Sequence, residues 1–155
     1  GVESGRARAA SRAPHRARRI ARAASRTPHR ARRIAHAPPT MSVPAARLTA
    51  LTPHPVRPDG AVVLYWCTTA RRTTWSFALQ HAVDHAARLG RPLVVLEALR
   101  AGYPHASDRL HRFALDAMGE NAAAYAGAGV THLAYVEPEA GAGRGLLAAL
   151  ADRAC

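Results

Sequence analysis

Two short polar segments hold the side chains of this chain best suited to chemistry. The first contains Thr68, Thr69, Arg71, Arg72 and Thr73, which follow one apolar run and precede an amphipathic one. A guanidinium presents paired donors in a plane, and the free N–H groups of a helix start add to its pull. This segment therefore suits an anionic or phosphate-bearing group. The same arginines would also serve a salt bridge on the surface or to a neighbouring domain. The second segment contains Glu97, Arg100 and Tyr103 after another apolar run. Arg100 can pair with charge and Tyr103 can stack on a ring, which would line a pocket for an aromatic ligand. A turn held by Tyr103 and Pro104 is the plainer use of these residues.

Other candidates are weaker. Gly141 to Gly145 reads GAGRG and can turn backbone N–H groups toward an anion. It has neither the GxGxxG spacing nor the lysine of a P-loop, so a plain connecting loop is the simpler reading. His81 and His85 stand four apart on a helix, but a metal site needs further ligands in fixed geometry, and a solvated helix face accounts for them. Cys67 and Cys155 have neither metal-ligand spacing nor the pattern of a disulfide framework and read as reduced, structural thiols. Trp66 and Trp75 read as core or interface aromatics.

These residues need elements to position them. Ala61 to Trp66 and Pro92 to Leu96 are short, nearly unbroken apolar runs, as in strands buried on both faces, and Val130 to Val136 is a third. Between the first two, Trp75, Leu79, Ala82, Val83, Ala86 and Leu89 recur at helical spacing, which predicts a helix from Thr73 or Thr74 to Gly90. Ser107 is the expected N-cap of a second helix, with Leu110, Phe113, Ala114, Ala117, Met118 and Tyr125 as its apolar stripe, ending before Gly127 to Gly129. A third helix with Leu146, Leu147 and Leu150 is expected to run to the chain end. The order β-α-β-α-β-α with right-handed crossovers is a Rossmann-like α/β parallel sheet, whose ligands sit where strands end. Three strands make a small core with an apolar edge, so the sheet is expected to be truncated before its next strand and the fragment to be marginal alone.

Composition divides the chain. All 22 basic residues are arginine, which together with abundant alanine reads as coding bias rather than arginine-specific chemistry. Residues 1–40 hold eleven arginines against the single acid Glu3, and residues 41–155 hold eleven against nine acids, so the high pI belongs to the tail. Residues 10–23 and 24–37 form a tandem repeat that differs at two of fourteen positions. With only Ile20 and Ile34 as larger aliphatics, no core can form there, and disorder is expected. An organellar transit peptide and a nucleic-acid-binding arm compete with translation upstream of a true start at Met41, which we prefer because residues 41–60 form an ordinary Pro-rich lead-in. No apolar stretch approaches the ~20 residues that cross a bilayer, so a cytoplasmic protein without membrane contact is the expectation.

The stretch VLYWCTTARRTTWSFALQHAVDHAARLGRPLVVLEALR resembles the N-terminal α/β domain of DNA photolyases, the class II type in particular. There a YWM-like strand end precedes an arginine-containing loop, an NWAL-like helix start and a GKPLVVV-like second strand. GYPHASDRLHRFALDAMGENAAAY and YVEPEAGAGRGLLAAL are similar to the matching stretches of a bacterial branch, so the resemblance spans residues 61–155 and none of the tail. Cys67 stands where Met is usual, and Ser76 precedes Phe77 where Asn before an aromatic is favoured.

The resemblance implies that this domain binds an antenna chromophore, a deazaflavin or a folate, with Thr68, Thr69, Arg71, Arg72, Thr73, Glu97, Arg100 and Tyr103 as the residues to line it. FAD would sit in a missing helical C-terminal domain of a monomeric parent that repairs cyclobutane pyrimidine dimers in DNA. There the excited reduced flavin lends an electron to a flipped-out dimer. The chain alone is then not expected to be active and holds no catalytic residue. Three other readings remain: a cryptochrome-like photoreceptor fragment, a nucleotide-binding Rossmann-like protein, and a nucleic-acid-binding protein driven by its arginine tail.

Overall fold

The computed structural model describes residues 43–155; the arginine-rich repeat and the expected start at Met41 lie outside the described residues. After a single 3-10 turn at Ala45–Arg47 the order is β1 (Val63–Cys67), α1 (Phe77–Leu89), β2 (Leu93–Leu99), α2 (Asp108–Gly127), β3 (Thr131–Val136) and α3 (Leu146–Ala151). The strands form one parallel sheet in the order β1-β2-β3. This is the Rossmann-like α/β architecture that the alternation of apolar runs predicts. β2 is central, and Val95, Leu96 and Glu97 are its fully buried residues, which explains why its apolar run is unbroken.

The register sorts side chains by face. Val63 pairs with Leu93, and Tyr65 with Val95 and then His132. Val63, Cys67, Leu93 and Val95 pack with Ala82 and Ala86 of α1 and Tyr125 of α2. On the opposite face Leu96, Leu64 and Leu133 meet Leu146 and Leu150 of α3. Thus α1 and α2 cover one face and α3 the other. The chain changes face after β3.

Helix boundaries follow local chemistry. Ser76 is extended (φ −115°) and its hydroxyl accepts from Leu79 N–H at 3.3 Å, so α1 begins at Phe77 and not at Thr73 or Thr74. The helical stripe therefore excludes Trp75, which has φ 54° and is 90% exposed. Gly90 ends the helix at φ 63°, where its N–H and that of Arg91 return to Ala87 and Ala86 carbonyls. Ser76→Ala and Gly90→Ala should each lower stability by about 1 kcal/mol, read as a shift in the urea midpoint at unchanged slope.

Ser107 caps α2 through Leu110 N–H at 3.3 Å, as expected. The predicted stripe is buried only in its second half: Met118 and Tyr125 are covered, with the unpredicted Asn121 between them, whereas Leu110 and Phe113 are 49% and 75% exposed. α3 stops at Ala151 instead of running to the end. Its last turn is held by Arg57, whose guanidinium donates to Ala151 O at 2.8 Å and Ala154 O at 2.6 Å. The chain then returns along β1, with Ala61 N–H donating to Arg153 O, Cys155 N–H donating to Val62 O, and a parallel bridge between Val62 and Ala154. Gly60 lies so close to the Ala154–Cys155 backbone that any Cβ there would collide with it. Among the described residues no helix is long and apolar enough to cross a membrane.

Candidate functional site at the carboxyl end of the sheet

Because α1 and α2 lie on one face and α3 on the other, the crossovers diverge beside the carboxyl end of β1. In open α/β sheets ligands bind where crossovers diverge in this way. The segment after β1 sits there. Thr68, Thr69 and Arg72 are exposed and Thr73 is half-buried. Trp66, on the α3 side, is 51% exposed at the end of the strand. Arg71 departs from this group and turns inward.

Arg71 Nη1 meets Glu97 Oε1 at 3.3 Å, and its Nη2 donates to Ala98 O at 2.8 Å. Glu97 has no exposed surface. Its second oxygen lies 3.0 Å from His132 Nε2, and Asn121 Nδ2 bridges it to the Arg71 carbonyl at 3.3 Å each way. One buried carboxylate thus ties the β1–α1 loop, β2, α2 and β3 together. Glu97 stands on the α1–α2 face, inside the core, while Arg100 is exposed and Tyr103 half-buried in the loop that follows. No bond joins the three residues of the second segment.

Tyr103 packs its edge on His111 of α2, with ring centres 5.6 Å apart. His111 Nε2 is buried without a hydrogen-bond partner. A buried polar atom without a partner costs ~1–3 kcal/mol unless something satisfies it.

The glycine loop is already filled. Glu137 Oε1 accepts from Gly141 N–H at 2.9 Å and Gly143 N–H at 3.3 Å, and Oε2 accepts from Ala101 N–H at 2.9 Å. Donation from the Ala101 amide, foremost, holds this carboxyl below its ordinary range against the opposing effect of burial. The amides suited to cradle an external anion therefore serve an internal one.

Burial pushes the Cys67 thiol up, so it stays protonated and poorly nucleophilic. Burial likewise pushes Tyr125 up to about 12. The His81 and His85 rings lie 5.5 Å apart, and burial, with Arg88 and His81 nearby, lowers His85. Among the described residues no three His, Cys, Asp or Glu are placed to hold a metal ion.

Sequence reasoning missed Asn121, His132, His111 and the fit of Glu137 into the glycine loop. A signal existed for two of them. Asn121 falls between Met118 and Tyr125 on the buried stripe, and His132 interrupts an apolar strand.

No family model matches the chain, and no solved structure matches it. Over 59 residues it is 34% identical to the deoxyribodipyrimidine photo-lyase of Methanothermobacter thermautotrophicus, a match that covers 38% of this chain and 13% of that protein. The chain therefore spans a small part of the length of the photo-lyase it resembles, and what it has in common with that protein is a similarity over 59 residues.

Proposed function

We propose that the chain is the pigment-binding α/β part of a photolyase-type protein whose whole repairs pyrimidine dimers in light. The partial identity to a named photo-lyase carries this reading. The residues at the carboxyl end fit a flat, polar pigment of the deazaflavin or folate kind. Tyr103 supplies a ring face, His111 Nε2 is a buried group in need of a polar partner, and Arg100 adds a nearby charge. Thr68, Thr69 and Arg72 offer hydroxyls and a guanidinium for an anionic tail at the adjacent strand end. Arg71 and Glu97 act one step back, fixing the loop that carries them. When bound, the pigment would absorb near-ultraviolet or blue light and pass the energy on to a flavin in another part of the protein.

A nucleotide-binding protein would need a free phosphate nest, and Glu137 occupies the glycine-loop amides. Titrating the purified chain with a deazaflavin or a folate tests the pigment reading. We expect a shifted absorption band that stays with the protein through gel filtration and that Tyr103→Ala weakens about tenfold. An unshifted spectrum with both pigments, and no retention, would overturn it.

A further inference from the structure

Charge on the described residues is not evenly spread. The carboxyl end of the sheet carries seven arginines against four acids, whereas everything else carries four against five. Two of those four acids, Glu97 and Glu137, are buried and satisfied from within. The exposed balance at this end is thus Arg47, Arg72, Arg100, Arg109, Arg112 and Arg144 against Asp108 and Glu139. Among the described residues none of these six arginines makes a salt bridge.

In the β1–α1 loop on this same end stands Trp75. It is 90% exposed and held at φ 54°, a left-handed conformation that disfavours a bulky side chain. The fold recovers nothing by burying the indole. Backbone strain that returns no packing points to a use outside the fold. Two residues further on, the Phe77 ring has the Arg47 guanidinium 4.5 Å over its centre, so this end mixes guanidinium and aromatic faces.

We propose that this rim binds single-stranded nucleic acid, with its arginines on successive phosphates and Trp75 stacked on an unpaired base. Exposed guanidinium groups outside any salt bridge favour a polyanion, and a protruding indole favours one that carries flat rings. A duplex hides its ring faces, so the rim prefers a strand whose bases are open. The rim shares Arg72 and Arg100 with the proposed pigment site, but Trp75, Arg109 and Arg112 lie outside it, so variants at these three test the rim while Tyr103→Ala tests the pigment site.

The test uses the whole chain and a fluorescent oligothymidylate of about twenty nucleotides, by anisotropy over a range of salt. Residues 1–40 are identical in every variant, so differences between variants report the rim. Trp75→Ala should weaken binding about tenfold and Trp75→Phe should restore most of it. Arg109→Gln with Arg112→Gln should flatten the slope of log K against log salt by about 1.4. With 5-bromouracil in the strand, light should crosslink the tryptic peptide 73–88. Crosslinks confined to residues 1–40, with affinity and slope unchanged in all variants, would overturn the proposal. So would a Trp75→Ala variant that loses binding to anionic lipid vesicles while holding the oligonucleotide as before.

Discussion

Arg71→Ala should remove about 3 kcal/mol of stability, a large share of what a three-stranded domain can possess. The reason lies in what the substitution leaves behind. Glu97 is fully buried, and without the guanidinium its charge keeps only His132 and Asn121 as partners. Removing one member of a buried pair costs far more than the pair contributes, because the survivor stays out of water. The Ala98 carbonyl also loses its 2.8 Å donor. Replacing both, as Arg71→Met with Glu97→Leu, should recover much of the loss, since no charge then stays buried. Urea unfolding followed by circular dichroism checks both variants. A double variant as unstable as Arg71→Ala would show that packing, and not stranded charge, sets the cost. In the pigment assay the double variant should still bind less well than the parent, because the loop bearing Thr68, Thr69 and Arg72 has lost its tether.

The same residues mark where the sequence could be read and where it could not. Two nearly unbroken apolar runs, a third interrupted by His132, and two helical periodicities suffice for a parallel sheet, because burial on both faces leaves a strand little polar alternation. The face on which each helix lies also follows from right-handed crossovers. The site was harder. Arg71 and Arg72 are adjacent and chemically identical, yet one is spent inside the domain and the other faces water. What separates them is Glu97, 26 residues away and aligned with Cys67 only by strand register. Glu97 itself was visible as an acid at the end of an apolar strand and could be taken for a pocket wall. Its burial depends on Asn121 and His132 arriving from two further elements. Trp75 shows the limit of periodicity: its spacing suits the α1 stripe, but the cap at Ser76 places it one step outside the helix. Ser76 also tempers the departure from an Asn-aromatic helix start, because serine and asparagine are comparable N-caps.

Glu137→Ala should cost about 2–3 kcal/mol at neutral pH and make stability nearly independent of this site in acid. Its carboxylate accepts three backbone N–H groups, from Ala101 after β2 and from Gly141 and Gly143 before α3. Hydrogen bonds to a charged acceptor contribute ~1.5–3 kcal/mol, and truncation leaves three donors competing for whatever water can enter. Gly143 is suited to the close approach, since a Cβ there would press on Tyr135 at 3.0 Å. The fold holds this carboxyl below its ordinary 4.5. Its contribution is therefore complete above about pH 4.5 and is lost as the pH falls through the folded value, where a protonated acid accepts less well. The wild-type and Glu137→Ala chains should differ most at neutral pH and converge as the pH falls through the lowered folded value, a convergence that urea midpoints taken at several pH values would record. Arg100 lies close enough to Glu137 to add to the lowering. The acid weakening should thus loosen both loops that frame the carboxyl rim, and pigment retention should fall over the same pH interval in the parent chain and not in the variant. Equal pH dependence in the two chains would place the acid-sensitive group elsewhere.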